Sequence, residues 1–240
     1  KILYWILGVH SDVMGRKFDD SHVYTKSLSS VYWSMYDPSS HPYIRFPEAG
    51  SESAAVAVSR GGAYITDMVA LCDSLPFQCD MAFEDKGKIY ARPEVVVMDT
   101  NNPGLHADKL CADPSAFQRR FLYVDVSVRE EFRKADSVSI DPAKSHAAGG
   151  NLLDRYNFLI YIQTPEGNRR SKREVLVETS SLDVVREFFI SRFTDHVLAG
   201  DASEKILEQT LEEKEEVTIE DIPFEHDIAS ISIDEPVGRV

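Results

Sequence analysis

Four polar features stand in a fixed order along the first half of this 240-residue chain, and their residue types suit chemistry on phosphate. Glu48 follows Tyr43-Ile44-Arg45-Phe46, which reads as a short strand. The turn MAFEDKGKIYARPE (81–94) carries Lys86 and Lys88. Residues 94–98, EVVVM, read as a strand that runs out into Asp99-Thr100-Asn101-Asn102. Arg119 and Arg120 lie in FQRRF (117–121), just ahead of another apolar strand. In open α/β sheets, ligands sit at the carboxyl ends of the strands. An acid there can hold Mg2+ or orient a water, an amide can position the reacting group, and an arginine can neutralise developing charge. Those are the parts of phosphoryl transfer. Taken singly, each has an ordinary alternative. Glu48 would be a solvated loop acid, Asn101-Asn102-Pro103-Gly104 a turn, and the arginines surface ion-pair partners. Their order and spacing set them apart.

These residues need a frame. Ile2, Ile6, Val9 and Val13 recur at helical spacing, which predicts a helix over 2–14 closed by Gly15. Residues 61–75 repeat the pattern through Ile65, Met68, Val69, Cys72 and Leu75, and Pro76 ends the run. Three adjacent valines at 95–97 predict a strand buried on both faces, as in a parallel sheet, and FLYVDVSV (121–128) reads as a second of that kind. Strands alternating with helices predict an α/β layered fold. RYNFLIYIQ (155–163), TPEGN (164–168) and REVLVE (173–178) make a hairpin, with Arg169, Arg170, Lys172 and Arg173 at its solvated end. Val185, Phe189, Phe193 and Val197 predict a helix over 182–199 with Gly200 in a C-cap position.

Charge is uneven. The net −14 comes from 26 Lys+Arg against 40 Asp+Glu, and residues 201–240 alone hold 13 acids and 3 bases. A globally basic nucleic-acid clamp is thereby excluded, whereas a local basic groove is not. Cys72, Cys79 and Cys111 form no CxxC pair and no zinc spacing, and the seven histidines show no metal spacing. A sparse, odd set of cysteines suits a reducing compartment. No run approaches the roughly 20 apolar residues that span a bilayer.

The same residues resemble the superfamily 3 helicases of picorna-like RNA viruses, which are AAA+-type nucleoside triphosphatases. The aromatic stretch is Tyr32-Trp33-Ser34-Met35-Tyr36, the Walker B acid is Glu48, and the alanine-acid turn is Ala82-Phe83-Glu84-Asp85-Lys86-Gly87. Val95 to Val97 then lead to Thr100-Asn101-Asn102, and Arg119-Arg120-Phe121 closes the series. The likeness covers about residues 20–130, with 81–121 its most specific block. It implies an AAA+-like parallel sheet flanked by helices, with 1–150 as a partial helicase core. Residues 151–200 become a hairpin and helix extension, and 201–240 an acidic linker or tail. It further implies ATP and Mg2+, Glu48, Asn101, Asn102, Arg119 and Arg120 as catalytic residues, and Lys86 and Lys88 against single-stranded RNA. A ring of identical subunits, other viral replication proteins as partners, and replication complexes in the host cytoplasm follow from the same likeness.

Two departures stand out. The P-loop pattern GxxxxGK[ST] does not occur: in GVHSDVMGRKF (8–18) the glycines are too far apart and Phe18 follows Lys17. The expectation is that the loop precedes Lys1 and that helix 2–14 follows it. Secondly, the usual acid pair is Pro47-Glu48 here, which favours Glu48 as the water-orienting base over an Mg2+ ligand. A different class of protein stays open: a non-catalytic oligomerising or RNA-binding module that keeps the AAA+ shape.

Overall fold

A computed structural model of the chain describes residues 1–59, 61–72, 76–167 and 170–215. The chain divides into two compact units, Lys1–Thr194 and Asp195–Val240. In chain order the elements are α1 (Ile2–Val13), β1 (Val23–Thr25), β2 (Tyr43–Phe46), α2 (Ala54–Ser59), α3 (Ala63–Leu71), β3 (Phe77–Gln78), β4 (Tyr90–Ala91) and β5 (Val95–Met98). They continue with α4 (Ala107–Leu110), α5 (Pro114–Gln118), β6 (Leu122–Val128), α6 (Pro142–Ala147), β7 (Tyr156–Gly167), β8 (Arg170–Thr179) and α7 (Leu182–Glu215).

The fold is mixed α/β. β1, β2 and β5 make a parallel sheet in that order, with Tyr43 level with both Val23 and Val95. β3 and β4 pair as a small antiparallel hairpin. β6, β7 and β8 form an antiparallel sheet, Leu122 opposite Ile162 and Val128 opposite Tyr156. Two cores follow. One gathers Trp33, Tyr36, Ile44, Phe46, Tyr64 and Met68 around one face of the parallel sheet. The other seats Ile6 and Val9 of α1, with Val185 and Phe189 of α7, on Phe158 and Ile160. Each such side chain, fully buried, contributes about 1.5–3 kcal/mol.

Local chemistry shapes the entry to the first core. The Lys26 amine is buried and donates to the carbonyls of Ser27 at 3.3 Å, Tyr32 at 3.3 Å and Ser30. It also lies 5.2 Å from the Trp33 ring centroid. One cation thus gathers three loop carbonyls and holds the loop after β1 in place. Burial lowers the Lys26 pKa. Asp67 and Asp80 line a cavity of about 60 Å³ together with Lys26. There burial pushes the Asp67 carboxyl up to about 6, with Lys26 opposing the shift.

At the amino end of β2 a buried polar network fastens α1 to the sheet. The Tyr43 hydroxyl lies 2.7 Å from Ser11 Oγ and 3.1 Å from His10 Nδ1, and it accepts from an Arg16 guanidinium nitrogen at 3.0 Å. Arg16 in turn grips both carboxylate oxygens of Glu94, just ahead of β5.

Several sequence expectations need correcting. β6 is not a second buried parallel strand; it pairs antiparallel with β7, and Asp125 and Ser127 are exposed. Asp125 and Ser127 alternate with Val124, Val126 and Val128, a pattern of half-exposed antiparallel strands, although Val126 is exposed as well. β5 is parallel as expected, yet its residues are half-buried and it lies at the edge of the described sheet. α3 ends at Leu71 with Cys72 exposed, and Leu75 lies outside the described residues. Gly200 does not cap α7, which continues to Glu215. An interior glycine costs only about 1 kcal/mol against alanine, and EKILEQTLEEKEE after it is rich in helix formers.

Candidate functional site

β2 and β5 are neighbours, so the loops after them emerge side by side. The backbone N–H of Ala49 donates to the carbonyl of Asp99 at 2.9 Å, and Thr100 Oγ1 donates to the carbonyl of Ala49 at 2.6 Å. Asn102 Nδ2 donates to the carbonyl of Gly50 at 3.3 Å. His106 Nε2 stands 2.7 Å from the carbonyl of Glu52, a contact that requires the proton on that nitrogen. Asp99 completes the stitching: one carboxylate oxygen accepts from Arg45 Nε at 2.9 Å, and the other from the N–H of Glu48 at 3.3 Å. The ion pair raises the Arg45 pKa. Gly50, at φ +67°, brings its backbone so close that an added Cβ would stand 3.1 Å from Leu105 Cα.

Strain concentrates at the same place. Among the described residues five non-glycine residues have positive φ, and three of them are Glu48 (48°), Leu105 (50°) and His106 (55°) in these two loops. Left-handed backbone costs such residues about 1–2 kcal/mol each and persists only where surrounding bonds over-determine it. The bonds just described supply that constraint. They leave the Glu48 and Asn101 side chains exposed and without a partner among the described residues. A carboxylate and an amide are thus presented from adjacent strand ends on a stiff base.

The remaining sequence candidates stand on other elements. Lys86 and Lys88 are exposed on the β3–β4 turn, where Gly87 takes φ +81°. Arg119 and Arg120 follow α5, and both side chains are exposed, so neither points into the core. The Arg120 guanidinium donates back to the Ala116 carbonyl of its own helix, and Arg119 keeps its side chain free among the described residues. No bond among the described residues joins either arginine to Glu48. Asp125, a conceivable partner, pairs instead with Arg173, whose guanidinium lies 4.0 Å from the Tyr161 ring centroid. Arg169 lies outside the described residues.

Sequence reasoning missed Arg45 and His106, and it placed Asp99 at the strand end without giving it a role. The signal for Asp99 was available, because it is the first polar residue after β5. His106 had none, since it acts through a carbonyl 54 residues away in the chain.

The donor set is thin for a metal. Asp99 is already engaged by Arg45, and among the described residues no three His, Cys, Asp or Glu side chains could hold an ion together. Glu48 alone does not make an Mg2+ site. Among the described residues, no helix is long and apolar enough to cross a membrane. No protein-family model matches the chain, and no curated protein matches its sequence.

Proposed function

We propose that the chain is the nucleoside-triphosphate-driven RNA helicase segment of a viral replication polyprotein, with an AAA+-like arrangement of its parallel sheet. One observation supports this reading: Glu48 and Asn101 are exposed and left free on the loops that follow two adjacent parallel strands, and those loops are hydrogen-bonded to each other. Glu48 accepts a hydrogen bond from the attacking water and orients it, and Asn101 holds the phosphoryl group in line. Asn102 positions the loop through Gly50. Arg119, the freer of the two arginines, reaches the phosphate of a neighbouring subunit in a ring and stabilises its charge. Lys86 and Lys88 contact RNA phosphates regardless of base.

ATP is the substrate of this reading, and its phosphates need a cradle of backbone N–H groups that no GxxxxGK[ST] in these 240 residues provides. The 240-residue chain therefore turns over ATP poorly or not at all. In a polypeptide with such a loop ahead of Lys1, Glu48→Gln abolishes turnover while ATP still binds. Arg119→Ala does the same, and mixing the two variants restores part of the activity. An arginine finger is worth roughly 10³–10⁵ in kcat, so the loss is unmistakable. Robust turnover by the 240 residues alone, or full activity of both variants, overturns the reading.

A second reading, a non-catalytic oligomerising or RNA-binding module, has one observation in its favour. The amide of Asn102 and the carboxylate of Asp99 are engaged within the loops, as in a purely structural knot. Its signature is RNA binding without nucleotide turnover in the longer polypeptide.

A further inference from the structure

One lysine is buried where lysines usually stay in water. Lys26, directly after β1, is 2% exposed. Its ammonium is held by the carbonyls of Ser27, Ser30 and Tyr32 and by the Trp33 ring, all on the loop that follows. Two carboxyls, Asp67 on α3 and Asp80 after β3, line the same cavity of about 60 Å³ as this lysine. Neither is joined to Lys26 by a hydrogen bond or an ion pair among the described residues. One water needs about 10–15 Å³ of such space, so the ammonium has room to change partners.

Two kinds of partner thus compete for one cation. An ionised carboxylate attracts an ammonium more strongly than a neutral carbonyl does, so the outcome turns on whether Asp67 is charged. Burial pushes the Asp67 carboxyl up to about 6; Lys26 opposes the rise and Asp80 adds to it. Burial lowers the Lys26 amine, and both carboxyls counter that. Two further titratable groups face the pair and keep their protons near neutrality. Burial raises the Cys79 thiol and the Tyr64 hydroxyl each to about 12, and that hydroxyl donates to the Leu105 carbonyl at 3.0 Å. Asp80 is exposed to water.

We propose that Lys26 and Asp67 form a pH-sensitive latch on the loop after β1. With Asp67 neutral, the ammonium clamps the three carbonyls. With Asp67 ionised, it moves toward the carboxylate and the stretch from Ser27 to Trp33 is released. The closed form holds a proton that the open form gives up, so rising pH opens the latch. The same loop is tied to the β3–β4 hairpin: the Trp33 N–H donates to the Asp80 carbonyl at 2.8 Å, and its ring packs on Phe77 at 5.4 Å between centroids. Release is therefore felt at the hairpin as well. None of these residues takes part in the phosphate chemistry proposed above, so the latch and that reading fail separately.

Amide exchange of the 240-residue chain tests this, measured at about pH 5 and about pH 7.5, on either side of the Asp67 transition, and expressed as protection relative to an unstructured chain. Protection of residues 28–33 falls roughly tenfold at the higher pH, while β7 loses far less. Trp33 emission, read in a Trp5→Phe background because the chain holds 2 tryptophans, shifts with a midpoint of about 6. Asp67→Asn keeps the loop protected at both pH values and abolishes the Trp33 transition. Lys26→Met leaves the loop unprotected at both, with circular dichroism to verify its fold, and Asp67→Asn carries the test should that variant unfold. Unchanged protection of 28–33 in the unaltered chain overturns the latch. So does an equal loss in β7, which reports global destabilisation, or a Trp33 transition that survives Asp67→Asn.

Discussion

The two ends of the parallel sheet are built on opposite plans. At the amino end of β2, side chains bond to side chains: Tyr43 collects Ser11, His10 and Arg16, and Arg16 holds Glu94. The groups there answer one another, and their backbone is regular apart from a glycine, Gly15, at φ +67°. At the carboxyl end, side chains bond mostly to backbone, three non-glycine residues are left-handed, and a carboxylate and an amide remain over. A closed network is a fastening. An over-constrained loop with groups to spare is where a sheet can do chemistry, and the contrast lies within one four-residue strand.

The largest effect is expected at the closed end. Tyr43→Phe removes the hydroxyl at its centre, and with it the bonds to buried Ser11, to His10 and to Arg16. Urea denaturation should show a loss of about 2–3 kcal/mol. A loss under 1 kcal/mol would mean that the network is not a fastening. At the other end, Gly50→Ala forces a Cβ against Leu105 in a left-handed conformation. It should cost about 1–2 kcal/mol and displace Glu48 with it. Amide exchange confined to residues 47–52 and 99–106 would locate the damage; uniform exchange across the sheet would contradict it.

A burial cost that belongs to neither end calibrates both. The Asp67 carboxyl is raised from 3.8 to about 6 in the folded chain. Folding therefore favours its protonated form. That stability is fully present below pH 3.8 and is lost as pH rises through about 6. Asp67→Asn should flatten the melting temperature across this window and add on the order of 1 kcal/mol at pH 7, after allowance for its partial exposure. The smallest effect bears most directly on the comparison. Glu48→Gly relieves the left-handed backbone and should stabilise by about 0.5–1 kcal/mol, while Glu48→Gln leaves stability unchanged. If Glu48→Gly destabilises instead, the conformation is not strained, and the two ends differ less than their backbones indicate.

Much of the frame was legible in the residues. The 3.6-residue spacing of Ile2, Ile6 and Val9 marks α1, and three consecutive valines mark β5 as a parallel strand. Pairing of β6 was less accessible, because apolar and polar residues alternate over only five positions, Val124 to Val128, and the preceding Phe121-Leu122-Tyr123 masks the pattern. At the candidate site, Glu48 and Asn101 could be picked out by type and position. That Arg120 folds back on its own helix and Arg119 does not could not, because adjacent residues of one type carry no information on which finds a nearby carbonyl.

The sequence by itself determined the local choices: where helices begin and stop, which stretches are extended, which residue types could act on phosphate, and where acid accumulates. Short-range sterics and hydrophobic periodicity settle those within a few residues. Only the tertiary structure decided that the loops after β2 and β5 lie against each other and that Asp99 reaches back to Arg45 and Glu48. It alone brought Tyr32 to the segment that carries Phe83 and Tyr90. Those relations span about fifty residues, and they arise because parallel pairing must carry the chain across the fold before two strand ends can meet.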